Sequence, residues 1–147
     1  MHDYATALID AADRALGPWV VDAVRRRAGP AGRWNPAVEA AADEAAEAAR
    51  SAVINPLRAL LEQDFDDQRS TPLAVLRDAV RFPTAVLAAA EVAPAMRDQD
   101  QQRRFPEDRF DLCPATFGDF GPEVGEAGIA WGAAKAFAHR QRHGGSR

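Results

Sequence analysis

A chain of 147 residues with 47% hydrophobic and 27% charged side chains is sized and composed for one folded domain and is not the composition of a largely disordered chain. Its net charge of -4 supplies no overall basic field to hold a nucleic-acid backbone, and no apolar run approaches the roughly 20 residues needed to span a bilayer. A single cysteine, Cys113, excludes an intrachain disulfide, and the opening residues carry Asp3, Asp10 and Asp13 where a secretory signal needs basic charge and an apolar run, so a cytoplasmic, soluble protein is expected.

In chain order, Tyr4, Leu8, Ala11, Ala12 and Ala15 repeat at helical spacing and predict a helix over 3–16. Gly17 ends it and Pro18 opens a second helix over 18–28, with Trp19, Val20, Ala23 and Val24 on one side and Arg25, Arg26 and Arg27 in its last turn. After a Gly-Pro-Ala-Gly turn, Trp34 precedes an Asn35 cap and a first-turn proline, Pro36. The long helix that follows, 36–66, carries Val38, Ala42, Ala45, Ala49, Ala52, Leu57, Leu60 and Leu61 at a period of three to four, with a bend expected at Pro56 and Phe65 as its last inward contact. Residues 35–69 hold eight acids and three arginines, so most of the acidity belongs to this helix.

Thr71-Pro72 gives another cap and first-turn proline, opening a helix over 72–82; Pro83 interrupts it, and 83–93 resumes it. This segment, rich in branched apolar residues, is expected to pack against the long helix as the core. Residues 96–105 are polar enough for only an exposed helical turn or two. Prolines and glycines then punctuate 105–125, yet Phe105, Phe110, Leu112, Phe117 and Phe120 lie there, which predicts an ordered loop laying its rings over the bundle. A last helix, 127–142, should face inward through Ala130, Ala133, Ala134 and Phe137, before a flexible tail at 144–147. The fold class predicted is all-α: a single-domain helical bundle of about five to six helices around one long Pro-kinked helix.

Catalytic templates mostly fail. There is no P-loop, GxGxxG, GxSxG or paired-cysteine zinc pattern, and Asp119-Phe120-Gly121 matches the metal-binding triplet of protein kinases in letters alone. His139 and His143 share metal-ligand spacing but lack the Glu of an HExxH site, so neither a metal nor a cofactor is expected. Trp131, Lys135 and His139 line up at i, i+4 and i+8, and Lys135 is the only lysine in the chain, which makes these three the ligand-binding candidates. The blander reading sets the ammonium against the indole face. Cys113 is a candidate nucleophile or a small buried hydrophobe. The acidic stripe Glu39, Asp43 and Glu47 reads as a solvated face. Arg25, Arg26 and Arg27 could meet phosphate, although no recognition helix rich in Asn, Gln and Arg accompanies them.

The functional expectation is a noncatalytic helical domain that binds another protein or itself, with Ala41, Ala45, Ala48 and Ala52 as a face permitting close helix approach. Two alternatives stand beside it. One is a ligand-binding or enzymatic bundle with a pocket near Lys135, His139 and Cys113, although the residues favour a noncatalytic role over an enzyme. The other is a nucleic-acid-associated protein using Arg25, Arg26 and Arg27.

Overall fold

The computed structural model describes residues 2–62 and 72–144, and among them every regular element is helical. Helix α1 (His2–Ala28) runs uninterrupted through Gly17 and Pro18, where local sequence predicts a corner between two helices. A proline inside a helix costs about 3 kcal/mol through its missing N–H and its crowding of the preceding turn. Here Leu8, Ala12, Leu16, Trp19, Val20, Ala23 and Val24 are all buried along one side of the continuous helix, and a buried aliphatic or aromatic side chain contributes about 1.5–3 kcal/mol. Burial on both sides of Pro18 outweighs the local defect.

The chain turns back at Gly32, whose φ of 70° lies where an L side chain is strained. Helix α2 (Pro36–Leu61) then starts as its sequence predicts: the Asn35 side chain accepts from the Val38 N–H at 3.0 Å, and Pro36 occupies the first turn. Trp34 is half-buried against the cluster that holds Ala28 and Ala42, with the Arg25 guanidinium 5.0 Å from its ring centroid. Ala42, Ala46, Ala49, Val53, Leu57, Leu60 and Leu61 form the buried face of α2. Ala48, grouped by the sequence with Ala41, Ala45 and Ala52, is exposed, and the stripe buried within this chain sits one residue further along the helix. Across the α1–α2 contact Arg50 meets Asp13 at 2.6 Å, and within α2 it meets Glu47 at 3.3 Å. The expected continuation of the long helix to residue 66, the inward contact of Phe65 and the Thr71 cap all fall outside the described residues.

The break expected at Pro83 lies upstream. Helix α3 (Pro72–Arg77) passes into a 3₁₀ turn (Asp78–Val80), and helix α4 (Arg81–Ala89) restarts so that Pro83 falls in its first turn, where a backbone N–H has no intrahelical partner to lose. Glu91 takes a left-handed conformation, φ 62°, and the Val92 N–H closes onto the Leu87 carbonyl at 3.1 Å, ending α4 in the manner of a Schellman motif. Helix α5 (Gln99–Arg104), capped by Asp98, buries nothing, as its polarity requires.

Residues 105–116 form the aromatic loop, followed by a 3₁₀ turn (Phe117–Phe120) and helix α6 (Pro122–Gly144). The last helix begins several residues before the predicted 127. Gly125 looks like punctuation in the sequence and Gly128 like an ordinary position of the last helix, but both are contact points: the Cα of Gly118 lies 3.0 Å from where a β-carbon on Gly125 would sit, and a β-carbon on Gly128 would overlap Cγ and Cδ2 of Phe117. Removing side chains there lets the 3₁₀ turn lie against the helix.

The core has two clusters. One gathers Leu8, Leu16, Trp19 and Val20 of α1 with Ala49, Val53 and Leu57 of α2, Leu76, Phe120, and Val124 and Trp131 of α6. The other joins Ala23, Val24 and Ala28 to Ala42, Val86, Leu87, Val92, Phe110 and Leu112. The bundle is therefore organised on the α1–α2 pair: α1, at 27 residues, matches the 26 of α2, and residues 72–92 complete a core they do not centre.

Candidate functional site

The three arginines at the end of α1 each have a separate partner within the chain. Arg25 stacks on Trp34, Arg26 pairs with Asp22 at 3.1 Å, and Arg27 reaches the backbone carbonyl of Asp111 at 3.3 Å and its carboxylate at 3.5 Å. Arg27 thereby ties the C-terminal end of α1 to the aromatic loop.

Trp131 is buried, and the Lys135 ammonium lies 5.2 Å from its ring centroid, the cation–π arrangement that the i, i+4 spacing allows. The side chain of His139, like that of His143, lies outside the described residues. Among the described residues, no three His, Cys, Asp or Glu side chains gather closely enough to hold a metal ion.

Cys113 borders an open cleft of about 390 Å³ between the α3–α4 segment and the aromatic loop, lined by Arg77, Arg81, Thr84, Phe105 and Asp108 among others; neither Trp131 nor Lys135 reaches it. The cleft wall is held by the loop's own bonds. Arg77 donates to the carbonyls of Pro114 at 2.9 Å and Ala115 at 3.2 Å, while the buried Asp108 accepts from the N–H groups of Leu112 at 2.8 Å and Cys113 at 2.7 Å. Burial pushes the Cys113 thiol up from its ordinary range, and the Asp108 carboxylate adds to this against the opposing pull of Arg77 and Arg104. A thiol held in its neutral form is a poor nucleophile. Iodoacetamide at pH 8 is expected to alkylate Cys113 more slowly in the folded chain than in the urea-unfolded chain. Equal rates would contradict the burial. A raised acid pKa means the native state holds the proton more tightly, so this group's stabilisation is present below the unfolded thiol pKa and is lost as pH rises through the folded one.

The remaining feature is an uncovered apolar face on α6. Its inner side buries Val124 and Trp131 and packs Ala127, Ala134 and Ala138 against the core. On its outer side Ile129 is 73% exposed and Phe137 57% exposed, with Ala133 between them. These positions follow at i, i+4 and i+8, so they form a second stripe roughly opposite the first. Beside it runs a groove of about 660 Å³ between α6 and the start of α1, lined by Ala130, Ala133, Ala134, Phe137, Ala138 and the half-exposed Tyr4.

The inward placement expected for Phe137 and Ala133 is thus reversed. From Gly128 to Ala138 every residue except Lys135 is small or apolar, so the helical period offers two apolar faces and cannot choose between them. The larger ring of Trp131, with Phe120 and Trp19 to meet it in the same cluster, takes the core. No protein-family model, curated protein or solved structure matches the chain. Among the described residues, no helix is long and apolar enough to cross a membrane.

Proposed function

We propose that this protein is a noncatalytic helical interaction domain of the cytoplasm that works through the outer face of α6. The observation carrying this reading is the exposure of Ile129 and Phe137 on one stripe beside the Tyr4 groove. Single exposed hydrophobes are ordinary, but large apolar side chains aligned along a helix beside an apolar groove are the usual ground plan for binding another helix. The lone cysteine fits a reducing compartment.

The enzymatic alternative has less support. Of its candidate groups, Cys113 borders a cleft that Lys135 does not reach, and burial raises the pKa of the thiol. A nucleic-acid role would need arginines gathered on one surface, whereas Arg25, Arg26 and Arg27 are turned to separate partners.

Sedimentation of the purified chain and affinity capture from its native cytoplasm test the proposal together. Association should be seen in one or both, and Phe137→Asp or Ile129→Asp should weaken it at least about ten-fold, the effect of placing a charge in the centre of an apolar contact. Arg58→Ala, an exposed change far along α2, should leave it intact. A chain that sediments as a monomer and recovers no partner, or whose association ignores both α6 substitutions, would overturn the reading.

A further inference from the structure

The outer stripe of α6 has a symmetry that its inner face lacks. Ala133 lies midway between Ile129 and Phe137, and also midway between Glu126 and Arg140. Glu126, Ile129, Ala133, Phe137 and Arg140 are spaced three or four apart, so they share one side of the helix, and all five are exposed. The apolar stripe is therefore capped by one acid and one base, about 21 Å apart at 1.5 Å per residue. Among the described residues neither Glu126 nor Arg140 has a salt-bridge partner.

Turning such a helix end over end about Ala133 superimposes acid on base and Ile129 on Phe137. From this, and resting on the reading of α6 as a binding face, we infer that the occupant of the face is a second copy of this chain, docked antiparallel about a two-fold axis at Ala133. In that arrangement Ile129 of each protomer meets Phe137 of the other, and each Glu126 meets the partner's Arg140, so the contact is isologous and closes on itself. The small side chain on the axis lets the two helices approach. A parallel pairing in the same register would instead set Glu126 against Glu126 and Arg140 against Arg140, so the charges select the antiparallel form. Tyr4 of each protomer lies across the groove from Phe137 and would widen the apolar contact. One helix stripe per protomer lies at the small end of specific interfaces, so the dimer should form with a Kd on the order of 10–100 µM.

Sedimentation equilibrium across micromolar to millimolar concentrations, on the full chain, tests this with four variants. Glu126→Arg and Arg140→Glu should each weaken the dimer roughly ten-fold, since a two-fold axis turns one reversal into two like-charge pairs. Glu126→Arg combined with Arg140→Glu should return to within about two-fold of the wild type, and raised salt should erase the differences among these chains. Phe137→Asp should abolish the dimer; if it lowers helicity by circular dichroism, Ile129→Asp serves in its place. Single reversals without effect, or a double reversal that fails to restore, would overturn the two-fold register. A monomer throughout would overturn the second copy as occupant. If that monomer still captures a different protein through Ile129 and Phe137, the interaction reading survives alone; if it captures none, both fall.

Discussion

Phe110→Ala is expected to destabilise the protein by about 3–5 kcal/mol, the usual range for emptying a fully buried aromatic site, and to lower the melting temperature by roughly 10 °C in a domain of this size. Phe110 is fully buried in the cluster that joins Val24 and Ala28 of α1, Ala42 of α2 and Leu87 of α4. It comes from the loop rather than from a helix, so its ring replaces a helix that the bundle lacks at this end. Urea unfolding followed by circular dichroism measures the change. A loss below about 1 kcal/mol would mean that the loop does not seal the core. Phe105→Ala, a half-buried ring on the same loop, should cost much less.

Asp108→Ala should cost about 3 kcal/mol, because one buried carboxylate accepts two backbone N–H groups and its loss leaves both without an acceptor. Those N–H groups belong to Leu112 and Cys113, at 2.8 and 2.7 Å, and the turn they make aims Phe110 and Leu112 at the core. Asp108→Asn keeps the shape but offers one oxygen and one amino group where two acceptors are needed, so it should recover only part of the loss. Unfolding curves for the two variants should rank wild type above Asn and Asn above Ala. If the alanine variant is as stable as the wild type, Asp108 is not what holds the turn. Mutational effects at Phe110 and Asp108 should also couple, since the second residue positions the first.

The capping of α2 was legible residue by residue: Asn35 and Pro36 set its start, and Leu57, Leu60 and Leu61 were recognisable as core from their period. The aromatic loop was legible as ordered because Phe110, Leu112 and Phe120 had to be buried somewhere. Asp108 was not, since an aspartate in a turn-rich stretch carries no mark of being buried until the loop closes around it. The outer face of α6 was missed for a different reason: Ile129, Ala133 and Phe137 obey the same period as Val124, Trp131 and Ala138.

Local sequence alone determined that the chain is helical, where α2 starts, and that the loop before α6 must hide its rings, because caps, period and side-chain hydrophobicity act within a few residues. Tertiary packing decided the rest. It carried α1 through Pro18 because the stripe from Leu8 to Val24 is worth more buried on one rod than split between two. It began α6 early because Gly125 and Gly128 accept the turn at Phe117, and it chose Trp131 over Phe137 for the core because only one of two equally apolar faces can be covered by a single α1.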